Sequence, residues 1–262
     1  MSDTTTHGRY VWFELLTTDP KAAIDFYTDV VGWKTEAWES ADYSIWLGSQ
    51  GPVGGVTLLT EEAKKNGAPS FWQGCLEVAD VDRTVALAKE RGGGVLVEPV
   101  DVPNVGRIAV ISDPQGAVVS VMAPATPMDA HDISKAGEFS WHELFSSDHE
   151  AGFRFYSELF GWQKLDEIDM GAMGKYLLWG RDGKQLGGMM TMTGMKTPDG
   201  RPVPPSWMYY VATADLDAAL ERAKQRGARV INGPMEVPGG QRIVQLLDPQ
   251  GAAFSLVTTP KT

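Results

Sequence analysis

The chain has 262 residues, 43% hydrophobic and 22% charged, with a formal net charge of −11 and one cysteine. That length suits one large domain or two ordinary ones with proper cores. The charge would repel nucleic acid, a single thiol excludes an internal disulfide framework, and no apolar run approaches the roughly 18 residues of a membrane span. The opening MSDTTTHGRYVW lacks the basic and apolar regions of a signal peptide, so a cytoplasmic protein with a small-molecule partner is expected.

Residues 10–16 alternate as a strand does. Asp19 and Pro20 then supply an N-cap and a first-turn proline, and Ile24, Phe26, Tyr27, Val30 and Val31 form a helical stripe that Gly32 ends. Strands are predicted at 33–38, 43–48 and 53–59. The order restarts with a strand at 71–78, a helix capped by Asp80 that runs to Arg91, and strands near Val95, at 107–111 and at 118–122. Cys75, inside the apolar GCLEV, reads as a reduced buried thiol.

The chain is then written a second time. Segment 10–33, YVWFELLTTDPKAAIDFYTDVVGW, recurs as FSWHELFSSDHEAGFRFYSELFGW at an offset of 129, and the ADVD and DPQG segments recur at an offset of 135. The drift puts insertions around 169–174 and 195–204, where loops absorb them at little cost. An α+β fold follows, with domains at 8–123 and 138–260 and a linker at 124–137, each domain built from two βαβββ units. His7, His131 and Asp132 are expected on the solvated surface.

The double βαβββ order, the FY…GW helix ending (Phe26, Tyr27, Gly32, Trp33; Phe155, Tyr156, Gly161, Trp162) and the DPQGA turns at 113–117 and 248–252 resemble the vicinal oxygen chelate superfamily. That superfamily holds glyoxalases, bleomycin-resistance proteins and extradiol dioxygenases, and the closer resemblance is to its tandem two-domain glyoxalase-like group. The resemblance implies half-barrels with helices outside and a cavity inside. Catalytic members hold one divalent metal there through His, Gln or Glu of the first and last strands. The positions so marked carry Trp12, Trp141, Ser120, Ser255, Gln73 and Met208, with Val56 and Met189 near the fourth. Gln73 alone is of a ligating type, so no cofactor is expected, with a divalent metal left open.

In WHELFSSD, residues 141–148, His142 stands beside Glu143, whereas WFELLTTD of the first copy has Phe13 at that place. Strand parity groups Glu14 and Glu143 with Trp12 and Trp141 on the cavity face, and turns Phe13, Leu15, His142 and Leu144 toward the helix. His142 then reads as core, and a shift of one in register would make it a candidate base. Glu14 and Glu143 read either as general acids or bases beside tryptophan, or as partners of Arg107 and Arg242, which could themselves orient a polar or anionic ligand. The candidate catalytic residues are thus Glu14, Glu143 and His142, and the candidate ligand contacts Trp12, Trp141, Arg107, Arg242, Gln73, Met208, Ser120 and Ser255. Many aromatic residues, and Met189, Met190 and Met192 in the second copy, favour a planar or apolar ligand. The glycine pairs of GPVGG and QLGGMM read as turns or a strand edge. Two functions stay open: a metal-independent binder of a partly aromatic molecule, or a glyoxalase-like lyase, isomerase or biosynthetic enzyme that uses a glutamate or a metal. Either a monomer or a homodimer is compatible with both.

Overall fold

A computed structural model of the chain describes residues 7–38, 42–65, 67–192, 196, 200 and 203–260. The first βαβββ unit comprises β1 (Tyr10–Thr17), α1 (Pro20–Val30), β2 (Lys34–Ala37), β3 (Tyr43–Gly48) and β4 (Gly51–Leu58), and a short helix α2 (Glu61–Lys65) leads to the next. The second comprises β5 (Phe71–Glu77), α3 (Val81–Glu90), β6 (Gly94–Val102), β7 (Gly106–Ser112) and β8 (Val118–Pro124). The third has β9 (Phe139–Ser146), α4 (His149–Phe160), β10 (Gln163–Asp169), β11 (Lys175–Arg181) and β12 (Lys184–Thr191). The fourth has β13 (Ser206–Thr213), α5 (Leu216–Gln225), β14 (Arg229–Glu236), β15 (Arg242–Leu247) and β16 (Ala253–Thr258). Strand order is β2-β3-β4-β1-β5-β8-β7-β6 in one eight-stranded sheet and β10-β11-β12-β9-β13-β16-β15-β14 in the other. The first predicted insertion holds a 3-10 turn at Gly171–Met173, and most of 195–204 lies outside the described residues.

Each long helix starts in the same way. Asp19, Asp80, Asp148 and Asp215 sit in extended backbone and accept from the amides of Ala22, Arg83, Ala151 and Ala218, at 2.9 to 3.0 Å. The aspartate satisfies a first-turn N–H that the helix itself cannot.

The described residues group into two compact units, and each draws on both copies. One unit takes residues within Met1–Val11, Gly74–Asp129 and Trp141–Trp207; the other takes Trp12–Gln73, Ala130–Ser140 and Met208–Thr262. The recurring motifs supply the locks inside each. In the second unit the Tyr27 hydroxyl donates to Asp248 Oδ2 at 3.0 Å and receives the Trp72 indole N–H at 2.8 Å, while Trp33 Nε1 donates to Gly137 O at 2.7 Å. Asp248 Oδ1 accepts the amides of Gln250 and Ala252, which closes the DPQG turn. In the other unit Trp207 donates to the Tyr156 hydroxyl at 3.0 Å, Trp162 donates to Gly8 O at 2.7 Å, and Asp113 Oδ1 closes its own DPQG turn. The paired FY…GW and DPQG signatures are therefore largely internal scaffolding.

The linker segment is not all solvated surface. His131 Nδ1 bonds the buried Glu138 at 2.8 Å, and Gln50 and the Asp132 backbone exchange two hydrogen bonds at 3.1 Å. His7 is also tied down, its Nε2 lying 3.1 Å from Leu159 O.

Candidate functional site

Which face of the first βαβββ unit is available follows from register. Trp46 packs against Tyr27 of α1, and it pairs with Gly54, which pairs with Phe13; that row faces the helix. Tyr43, Gly55 and Glu14 therefore share the opposite face with Trp12. There the Tyr43 hydroxyl donates to Glu14 Oε2 at 2.8 Å, and Trp12 Nε1 lies 3.2 Å from the same oxygen and 3.1 Å from the hydroxyl. Glu14 Oε1 is shut off from solvent with no hydrogen-bond partner among the described residues. Burial pushes the Glu14 carboxyl up to about 7, against the pull of the bonds from Tyr43 and Trp12. Such a group holds or releases a proton near neutrality.

Gly55 makes this arrangement possible. A Cβ there would meet the Tyr43 hydroxyl at 2.0 Å and Glu14 Oε1 at 3.0 Å. The glycine pairs thus lie inside strands β4 and β12 and do not form turns, which corrects the reading of GPVGG and QLGGMM. Gly54 and Gly187 have no room for a side chain over the backbone carbonyls of Phe13 and His142, each 2.0 Å from a would-be Cβ, and Gly188 yields its space to the Tyr176 ring.

The third βαβββ unit repeats the face. Glu143 pairs with Gly188, and Trp141 Nε1 donates to the Tyr176 hydroxyl at 3.0 Å. Glu143 is buried. His142 points to the other side, 4% exposed, stacked on Tyr10 at 4.3 Å and with Nδ1 2.8 Å from Leu186 O. Burial lowers it to about 4, with the Leu186 carbonyl working against that shift. Phe13 makes the matching stack with Phe139 at 3.8 Å in its own unit.

Arg107 and Arg242 do not serve as the carboxylate partners suggested for Glu14 and Glu143. Arg107 donates to both oxygens of Asp82 at 2.6 and 2.8 Å, and Arg242 to both of Asp217 at 2.7 and 2.9 Å. Each clamps the first turn of the helix in its own βαβββ unit, where an acidic residue already favours the helix N-terminus and the fork of a guanidinium fits it. On β5, Gln73 has the strand parity of Cys75, a buried thiol in no disulfide that pairs in register with Ser120. Met208 is buried and shares the parity of Tyr210, which pairs with Ser255. Sequence reasoning missed the bridging roles of Tyr43, Tyr176 and Gly55, because periodicity gives a strand's faces without saying which strand lies beside it.

The donor set does not fit a divalent ion held in the usual way. The marked positions offer two indoles, two hydroxyls, a thioether and one amide, while Val56 and Met189 face the helices beside Leu15 and Leu144. Among the described residues the one set of three close ligating groups is His149, Glu150 and Glu167, at the start of α4 and on β10. Lys164 and Lys175 already hold Glu167 and depress it to about 2.

The family model described as Glyoxalase/Bleomycin resistance protein/Dioxygenase superfamily matches residues 9–121 and 138–256. The chain belongs to this superfamily. Within the superfamily it is 29% identical over 250 residues to CFP32 of Mycobacterium bovis, a provisionally named glyoxylase, covering 94% of this chain and 93% of that one. It is 28% identical over 275 residues to the anthracycline biosynthesis protein DauV of Streptomyces sp. strain C5, covering 95% and 93%. Among solved structures, homoprotocatechuate 2,3-dioxygenase of Brevibacterium fuscum, in complex with 3,4-dihydroxyphenylacetate, is similar with a TM-score of 0.68 at 15% identity, covering 98% of this chain and 83% of that one. The Mn(II)-bound glyoxalase of Novosphingobium aromaticivorans gives 0.63 at 18%, with the same coverages. At these identities the likeness to solved structures is one of fold.

Proposed function

We propose that the chain binds a small, uncharged, partly aromatic molecule on the helix-free faces of its sheets, without the divalent metal of catalytic relatives. The observation that carries this reading is Glu14: a carboxyl framed by an indole and a phenol, with one oxygen lacking a partner among the described residues. A buried acceptor without a donor costs about 1–3 kcal/mol, which a ligand hydroxyl would recover. Flat rings beside it suit an aromatic body. By name, similar proteins act in anthracycline biosynthesis or hold 3,4-dihydroxyphenylacetate, in keeping with an oxygenated aromatic ligand. Titration with 2-naphthol and with naphthalene tests the reading. Wild-type protein should prefer the hydroxylated ring by about tenfold, or ~1.4 kcal/mol, and Glu14→Ala should lose that preference; no saturable binding of either ring would sink it.

A second reading is favoured by the same carboxyl. With its midpoint near 7, Glu14 is suited to act as a general base in an isomerase or lyase. Turnover would then rise as pH passes 7, and Glu14→Gln would abolish it while leaving substrate affinity intact; equal loss of both would assign Glu14 to structure.

A further inference from the structure

The fourth βαβββ unit differs in kind from the second on the face away from its helix. Register aligns Tyr210 on β13, Ser255 on β16, Gln245 on β15 and Asn232 on β14 in one transverse row. The residues 135 positions earlier, Cys75, Ser120, Val110 and Val97, are aligned in the same way but are mostly apolar. Phe254, next to Ser255 in sequence, packs on Phe26 and Tyr27 of α1, so Ser255 points to the opposite face. On that face Gln245 Nε2 donates to the Tyr210 hydroxyl at 2.6 Å, and Asn232 Nδ2 donates to Gln245 Oε1 at 3.2 Å. Ser255 lies between Gln245 and Tyr210 in register, 0% exposed, and its Oγ has no hydrogen-bond partner among the described residues.

A fully buried hydroxyl without a partner is rare, and here its register neighbours are an amide and a phenol bonded to each other. We propose that Tyr210, Ser255 and Gln245 form a receptor for one ligand oxygen, the carbonyl of an uncharged aromatic ketone or quinone. A ligand oxygen that reaches the row receives the Ser255 O–H, beside the bonded Gln245–Tyr210 pair. No charged side chain belongs to the row, so a neutral acceptor fits it better than a carboxylate or phosphate, whose usual partners are guanidinium and ammonium groups. The inference rests on the small-molecule reading above and narrows it: the row of the second βαβββ unit has Cys75 and Val110 in place of the phenol and the amide, so the two copies are chemically unequal.

Fluorescence titration with 9-fluorenone and with fluorene, tricycles of one outline that differ by a carbonyl against a methylene, tests it directly. Infrared spectra of bound, carbonyl-labelled fluorenone give a second readout. Wild-type protein should bind fluorenone about tenfold more tightly than fluorene, a ratio worth ~1.4 kcal/mol, and the C=O stretch should fall to lower wavenumber. Ser255→Ala, and Gln245→Val, which installs the first copy's residue, should each bring the ratio toward one and return the stretch, chiefly by weakening fluorenone. Equal affinity of the two tricycles for wild-type protein, or a ratio and stretch that neither variant alters, would overturn the carbonyl receptor and leave small-molecule binding standing. Failure of both tricycles and of 2-naphthol to bind would overturn both.

Discussion

At the residue scale, Glu14 and His142 pull stability in opposite directions with pH. Glu14 rises from an ordinary 4.5 to about 7, so between those values the folded chain keeps a proton that the unfolded chain releases, and stability falls as pH rises. His142 falls from 6.5 to about 4, so in that window the unfolded chain takes the extra proton and stability falls as pH drops. Each slope is at most about 1.4 kcal/mol per pH unit, and the two offset one another between 4.5 and 6.5. Urea unfolding from pH 4.5 to 7.5 should therefore separate them. Relative to wild type, Glu14→Gln should gain stability with rising pH, and His142→Phe, which adopts the first copy's residue, should lose it; parallel curves for all three would contradict both assignments. Strand parity alone was enough to divide Glu14 from Phe13 and Glu143 from His142. It could not reveal that Arg107 and Arg242 reach Asp82 and Asp217, because those aspartates lie on helices that a strand pattern does not place.

At the element scale, what fixes the candidate face is a small residue in a middle strand beneath two long neighbours. Gly55 lies under Tyr43 and Glu14, and Gly188 gives its space to Tyr176. Gly55→Ala should expel the Tyr43 ring, with a cost of about 1–3 kcal/mol from an overfilled site and loss of any preference for a hydroxylated ligand. Thermal unfolding and the 2-naphthol titration together check this. The helices were legible from their caps, since Asp19, Asp80, Asp148 and Asp215 all occupy the N-cap. Asp148→Ala should cost about 1 kcal/mol, measured by the shift in urea midpoint. The glycine pairs misled because glycine in a sequence signals a turn and a tight strand crossing equally well. Only the neighbouring strand distinguishes them.

For the whole molecule, the repeat read from sequence and the compact units seen in the structure divide the chain differently. The copies follow one another, yet each unit combines segments of both. The lock between Tyr27 of the first copy and Asp248 of the second, together with the packing of Phe26 on Phe254, is of this kind. A chain cut in the linker should therefore leave each half short of core partners, with early, non-cooperative melting that mixing the halves restores; two halves that melt cooperatively on their own would refute that dependence. Self-similarity in a sequence shows that a unit recurs. It carries no information on which recurrence packs against which.

Binding without a metal is the claim to test most directly. Calorimetric titration of chelator-treated protein with 2-naphthol, before and after addition of manganese, nickel, zinc or anaerobic ferrous iron, does so. Saturable binding that is present without metal, weakened about tenfold by Glu14→Ala and indifferent to added metal is the expected result. Binding that appears only with one equivalent of metal, and is untouched by Glu14→Ala, would contradict it.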